Sequence, residues 1–297
     1  MASWGPESII ASVIAGVHSF TTPEGLRFVD REGEIEKILG DPAIVAPGMI
    51  TVLYGPKGCG KTTLFRALSK AVKPGEHRAV VTVISMEEGR DFLEVYAPRG
   101  VLSAVRRALG ELVSSSHLQA GFIALNMRDL GLAVDMLARA LKSLRAAKFL
   151  IVVDEVRVGD PEVFRSWLEV KANKVADLQS ELFRSDDREL HLITLTSDAI
   201  VVETRAAIGS KVSWALMWNL PRTPFEVLVG ELSATSKLRE LSSLAGVDTS
   251  DALWKLVGGN PRALREIARR GLEVWLKEDV IDIVSSTIES YMGAERA

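Results

Sequence analysis

Met49-Ile-Thr-Val-Leu-Tyr54 runs straight into Gly55-Pro56-Lys57-Gly58-Cys59-Gly60-Lys61-Thr62-Thr63, and the reading of this stretch decides the fold. An apolar run of strand length meets G-x-x-x-x-G-K-[ST], and a helix-forming run, 62–72, follows. Glycines let successive backbone N–H groups turn inward and form an anion cradle, and the helix adds the positive end of its dipole. Lys61 then reaches the β- and γ-phosphates of a nucleoside triphosphate as a point charge, while the Thr62 hydroxyl serves Mg²⁺. A chance glycine-rich turn would not need strand and helix on either side, so 55–62 reads as a phosphate-binding loop with Thr63 continuing it. Cys59, inside the loop, reads as a small filler with no redox role.

Further along, Phe149-Leu-Ile-Val-Val-Asp154-Glu155 carries an apolar strand into two adjacent carboxylates. Ligands of open α/β sheets bind at the carboxyl ends of the strands. Asp154 is therefore expected to hold Mg²⁺ through water, and Glu155 to polarise an attacking water. The next strand ends in Thr194-Leu-Thr196-Ser197-Asp198. A polar residue there could sense the γ-phosphate, Thr196 being the first choice and Ser197 the second. An ordinary polar strand exit is the competing reading.

Five stretches read as strands: Met49–Tyr54, Ala79–Ser85, Lys148–Asp154, Leu190–Thr196 and Val212–Leu220. Helical patterns lie between them, at 62–72, 102–113, 130–145, 161–184 and 201–208, which implies a parallel sheet covered on both faces. Past Leu220 the pattern changes: Pro221 and Pro224 form a rigid joint, and only short helical segments follow. The expected organisation is an N-terminal helical extension over 1–25, an α/β body over 26–222 and a small helical domain over 223–297.

The chain has 297 residues, of which 47% are hydrophobic and 25% charged, with a net charge of −3. That is a globular composition, and it gives no support to a surface that is basic throughout. With Cys59 as the sole cysteine no intramolecular disulfide can form, which fits a reducing compartment. The apolar stretch Ile9–Val17 is too short to span a bilayer and lacks a basic lead, so no membrane contact and a cytoplasmic location are expected. Amides are sparse, a weak sign of a thermophilic source.

Two shorter motifs flank the body. Phe28-Val-Asp30-Arg31-Glu32 precedes an amphipathic stretch and reads, on its own, as a helix start. Gly258-Gly259-Asn260-Pro261-Arg262-Ala-Leu264 reads as one helix end and the next helix start, with Asn260 as cap. The joint sets Arg262 at the start of a helix.

Together these motifs resemble the ASCE division of P-loop ATPases, within it the AAA+/STAND group, and most of all the archaeal ATPase family. Phe28–Glu32 is similar to that family's F-x-x-R-E motif, whose segment borders the adenine, so Arg31 is implied as a nucleotide-binding residue. Gly258–Leu264 resembles the lid motif G-N-P-x-x-L, which implies that Arg262 is a second sensor and that 223–297 is a lid. The resemblance implies a five-stranded parallel sheet in the order 5-1-4-3-2 and an Mg²⁺-dependent ATPase acting as a conformational switch or remodeller. Relatives often carry Gly-Arg before the last strand, where this chain has Gly209-Ser210-Lys211; Arg205 is the nearest substitute for an arginine finger, and Lys211 the other. A homo-oligomer and a DNA or protein client are in keeping with the family. The runner-up is an ATP-dependent DNA loader or helper with little turnover, contacting DNA through its lid or through Arg99, Arg106 and Arg107. A small-molecule P-loop kinase is a third reading, disfavoured by the separate polar-tipped strand after Asp154-Glu155.

Overall fold

The computed structural model describes residues 7–286 except 24, 42–43, 87–92, 99–100, 104–121, 124–129, 143, 145, 155–159, 184–187, 198–200, 209–211, 234–237 and 239–248. It divides into two compact units.

The first unit gathers Met1–Thr22, Arg31–Lys57 and Lys61–Trp218 around one sheet. Its strands are β1 (Ile50–Tyr54), β2 (Ala79–Met86), β3 (Leu93–Tyr96), β4 (Phe122–Ile123), β5 (Lys148–Asp154), β6 (Glu189–Thr196) and β7 (Val212–Leu216), ordered β4-β3-β2-β5-β6-β1-β7. The five expected strands appear in the expected relative order and pair in parallel. Among the described residues the sheet has seven strands, however, and is not wholly parallel: β3 and β4 add antiparallel beyond β2. Four residues and two are too short to show an alternation against the polar sequence around them, which is why the pattern of apolar runs missed both. Of the helix expected over 102–113, only 102–103 lie within the described residues, and they are helical.

Strand alternation sorts the sheet into two faces. Ile50, Val52, Phe149, Ile151, Val153, Leu190 and Leu192 share one core. It is covered by α5 (Leu130–Lys142) through Leu137 and Leu141, and by α6 (Pro161–Phe183) through Phe164, Leu168 and Val175. The apolar positions of α6 recur at helical spacing, so its buried stripe follows from its sequence. The other face presents Leu53, Val81, Val83, Leu150 and Val152, all buried. α3 (Lys61–Ala71) packs against β2, and α1 (Glu7–His18) packs on α3, where a Cβ at Gly16 would come within 3.0 Å of the Ala71 Cβ. α2 (Glu32–Gly40), α4 (Pro74–His77) and α7 (Val201–Ala207) complete this unit.

The second unit gathers Pro23–Asp30, Gly58–Gly60 and Asn219–Ala297. Its helices are α8 (Arg222–Ser233), α9 (Thr249–Val257), α10 (Pro261–Arg270) and α11 (Leu272–Trp275), the last running into a π-helical turn, Leu276–Ile281. Phe225, Leu228, Leu253, Leu264 and Ile267 form its core, with Leu26 and Val29 packed against them. Phe225 and Trp254 meet edge to face at 5.5 Å. Asn260 caps α10 as its sequence suggests: Oδ1 accepts from the N–H groups of Arg262 (3.0 Å) and Ala263 (3.1 Å). Among the described residues no helix is long and apolar enough to cross a membrane.

Candidate active site

In the first unit the site grows from the carboxyl end of β1. Gly55 stands beside Met217, the residue that follows β7, where a Cβ would lie 1.9 Å from the Met217 carbonyl oxygen, so only glycine fits. The Met217 N–H in turn donates to the Tyr54 carbonyl at 2.9 Å, carrying the β1–β7 pairing one step past the strands. Lys61 opens α3 and is buried; its ammonium donates to the carbonyls of Gly55 (2.8 Å) and Pro56 (3.1 Å). Thr62 and Thr63 follow in the first turn of α3, and Lys57 is exposed.

Asp154 ends β5 and is buried; the Ser85 hydroxyl at the end of β2 donates to its Oδ2 at 3.2 Å. Both sit on the face opposite Phe149, Ile151 and Val153, the face against which α3 packs. Thr196 is buried at the last position of β6, in register with Tyr54 and on the opposite sheet face from Asp154; Ser197 is exposed. The strand order sets β6 between β1, which bears the loop, and β5, which bears Asp154. The carboxyl ends of four neighbouring strands therefore carry, in a row, the loop, Thr196, Asp154 and Ser85.

Arg31 lies just before α2 and is buried, with its fork committed to protein groups: Nη1 to Glu34 at 2.6 Å and Nη2 to the Trp218 carbonyl at 2.8 Å. Arg205 on α7 donates to the Tyr54 phenol oxygen at 3.1 Å. Glu155, Lys211, Arg99, Arg106 and Arg107 lie outside the described residues.

In the second unit the loop tip and α10 meet. Gly58 has φ +88°, and a Cβ there would stand 2.6 Å from the Arg262 Cβ and 2.7 Å from Asn260 Oδ1. The Arg262 N–H faces the Gly58 carbonyl at 3.4 Å, and the Arg262 side chain is exposed. Gly60 also has positive φ, +103°, and Cys59 is buried and in no disulfide.

The donor set suits a magnesium-bound triphosphate: a threonine hydroxyl and a carboxylate are the hard oxygens that Mg²⁺ prefers. Backbone at positive φ on either side of Cys59 turns amides towards one side, as a phosphate cradle requires. The sequence reading missed three contributors. Ser85 could have been found as the polar end of an apolar strand, but Met217 and the Trp218 carbonyl act through their backbone, which leaves no mark in side-chain chemistry.

A family model described as an ATPase domain predominantly from Archaea matches residues 28–267. A stretch of 105 residues is 34% identical to the molybdenum import ATP-binding protein ModC of Rhodobacter capsulatus, covering 35% of this chain and 24% of that protein. The match thus spans about a quarter of that relative's length. Among solved structures, a chain of Drosophila ORC bound to DNA aligns at 19% identity with a TM-score of 0.42, covering 97% of this chain and 70% of the other. Katanin, in a structure of its self-assembly, aligns at 12% identity with a TM-score of 0.42, covering 90% of this chain and 77% of the other.

Proposed function

Because the chain belongs to the family of ATPase domains found predominantly in Archaea, we propose that it binds ATP with Mg²⁺ in the 55–63 loop and hydrolyses it. The observation that carries this reading is the insertion of β6, ending in Thr196, between the loop strand and the Asp154 strand. A polar-tipped strand in that position would face the end of a triphosphate held by the loop, where water must attack.

Each residue has a task. Lys61 exchanges its two backbone carbonyls for phosphate oxygens, trading neutral acceptors for charged ones. Thr62 and Asp154 hold the metal, and Ser85 fixes the Asp154 carboxylate. Mg²⁺ held there would supply positive charge against the negative charge of the phosphates. Glu155, next to Asp154 in sequence, orients and deprotonates water. Thr196 answers to the γ-phosphate, with Ser197 beside it. Arg262, at the start of α10, is the second sensor: a contact made with ATP and lost with ADP would drive a conformational switch. The helical segment 223–297 would then act as the lid.

The test separates binding from chemistry. Glu155→Gln keeps shape and hydrogen bonding but removes the base, so hydrolysis should fall by about 10²-fold or more while ATP affinity holds. Equal turnover in parent and variant would move the catalytic carboxylate elsewhere.

A further inference from the structure

Arg31 is a left-handed residue, φ 82°, a backbone that few side-chain-bearing residues adopt, and its neighbour Asp30 is left-handed too, φ 63°. Such backbone persists only where surrounding contacts over-determine it. Among the contacts here are those of the Arg31 side chain. It is 3% exposed and bridges a carboxylate three residues on, Glu34, and a main-chain carbonyl far along the chain, Trp218. A planar guanidinium can hold both at once, which a lysine ammonium on its flexible stem does less well.

What the bridge holds is the exit of β7. Trp218 follows Met217, whose N–H donates to the Tyr54 carbonyl and whose carbonyl oxygen occupies the space a Cβ on Gly55 would need. Gly55 is the first residue of the phosphate loop, and its own carbonyl receives the Lys61 ammonium. One continuous set of contacts therefore runs from Glu34 through Arg31 to the Trp218 carbonyl, and from Met217 to Gly55 and Lys61.

We propose that Arg31 is a positioning residue for the phosphate loop, acting through the Trp218 carbonyl, and not a ligand of the adenine base. This rests on the reading of 55–63 as the triphosphate site. The two roles make opposite demands on ligands. A residue that reads the base affects ATP and leaves an inorganic triphosphate untouched. A residue that shapes the loop affects both alike, because both use the same amides and the same lysine.

The experiment measures dissociation constants for magnesium–ATP and magnesium–tripolyphosphate in the parent, Arg31→Lys and Glu34→Gln, with melting temperatures alongside. Arg31→Lys should weaken both ligands by the same factor, about tenfold, the scale of one lost hydrogen bond to a charged group. Glu34→Gln leaves the arginine in place but loosens its anchor, so it should weaken both by about threefold with little change in melting temperature. It keeps the test sound should Arg31→Lys fold poorly. Loss of ATP affinity with tripolyphosphate affinity intact would overturn the proposal and return Arg31 to the base. So would Glu34→Gln variants that bind both ligands as the parent does. A parent that binds neither ligand would overturn the triphosphate site itself and the proposal with it.

Discussion

Lys61 and Lys148 are buried to nearly the same degree, 8% and 9% exposed, and lie towards opposite ends of the strands of one sheet, Lys61 past the carboxyl end of β1 and Lys148 at the amino end of β5. Lys148 opens β5 and meets the Glu189 carboxylate across the strand pair at 3.0 Å, where the two residues are in register. The His191 Nε2 reaches the same carboxylate oxygen at 3.4 Å. At the carboxyl edge, Lys61 donates to the backbone carbonyls of Gly55 and Pro56. A buried ammonium answered by a carboxylate has its charge neutralised by the fold, and gains little from an arriving anion. One that donates to backbone carbonyls holds neutral acceptors, which the charged oxygens of a triphosphate can replace. Burial alone does not distinguish the two lysines; the acceptors each one meets do.

The contrast breaks most visibly if Lys61 proves dispensable. Lys61→Ala removes the loop's cation on the β/γ-phosphates, and two charge-assisted contacts of about 1.5–3 kcal/mol each imply a loss of ATP affinity of about 10²-fold or more. Calorimetry that found parent-like affinity would show that the loop does not bind phosphate through Lys61.

The mirror experiment at the other edge should touch stability and spare the nucleotide. Lys148→Met keeps the apolar stem and removes the charge, leaving Glu189 with His191 alone. Severing a deeply buried pair costs about 3–5 kcal/mol, but Glu189 is 24% exposed, and water recovers part of that. The expected loss is about 1–2 kcal/mol in urea unfolding, with ATP affinity unchanged. A variant of parental stability but impaired ATP binding would invert the comparison.

Legibility in the sequence followed the same division. The Lys61 loop, the Asp154 strand and the Asn260 cap were readable because each writes a local rule into adjacent residues: glycines where φ is positive, a carboxylate after an apolar run, a capping amide before proline. The relative order of five strands came from the family resemblance and agrees with the sheet. The antiparallel additions β3 and β4 escaped because short edge strands lack a period to detect. Thr196 stands out in the sequence by its place at a strand end, yet its sheet face depends on register, which the sequence does not print. Arg31 was assigned from a motif alone, and its engagement with Trp218 joins residues 187 apart, beyond any local pattern. The Lys148–Glu189–His191 cluster left no signal either, because its members come from two strands that only pairing brings together.

The smallest effect concerns the protons on that cluster. The Glu189 carboxyl is held below the ordinary glutamate range, chiefly because His191 Nε2–H donates to it, with Lys148 adding in the same direction and burial partly opposing. His191 Nδ1 has no hydrogen-bond partner and the ring is buried, so the ring proton belongs on Nε2, facing the carboxylate. A carboxyl whose folded pKa lies below its unfolded value stabilises the fold fully above the unfolded pKa, about 4.3 for glutamate, and loses that contribution as the pH falls through the folded value. Other carboxylates, such as Asp135 and Glu266, are lowered as well, so the parent's own acid unfolding cannot isolate Glu189. The difference between parent and Glu189→Gln can. It should amount to about 1 kcal/mol or less for a partly exposed pair at about pH 5, and shrink between about pH 5 and 3 as the parent's carboxylate takes up its proton. A difference that stays level down to pH 3 would mean that packing and not charge joins Glu189 to Lys148, and the electrostatic contrast between the two lysines would then have no basis at this edge of the sheet.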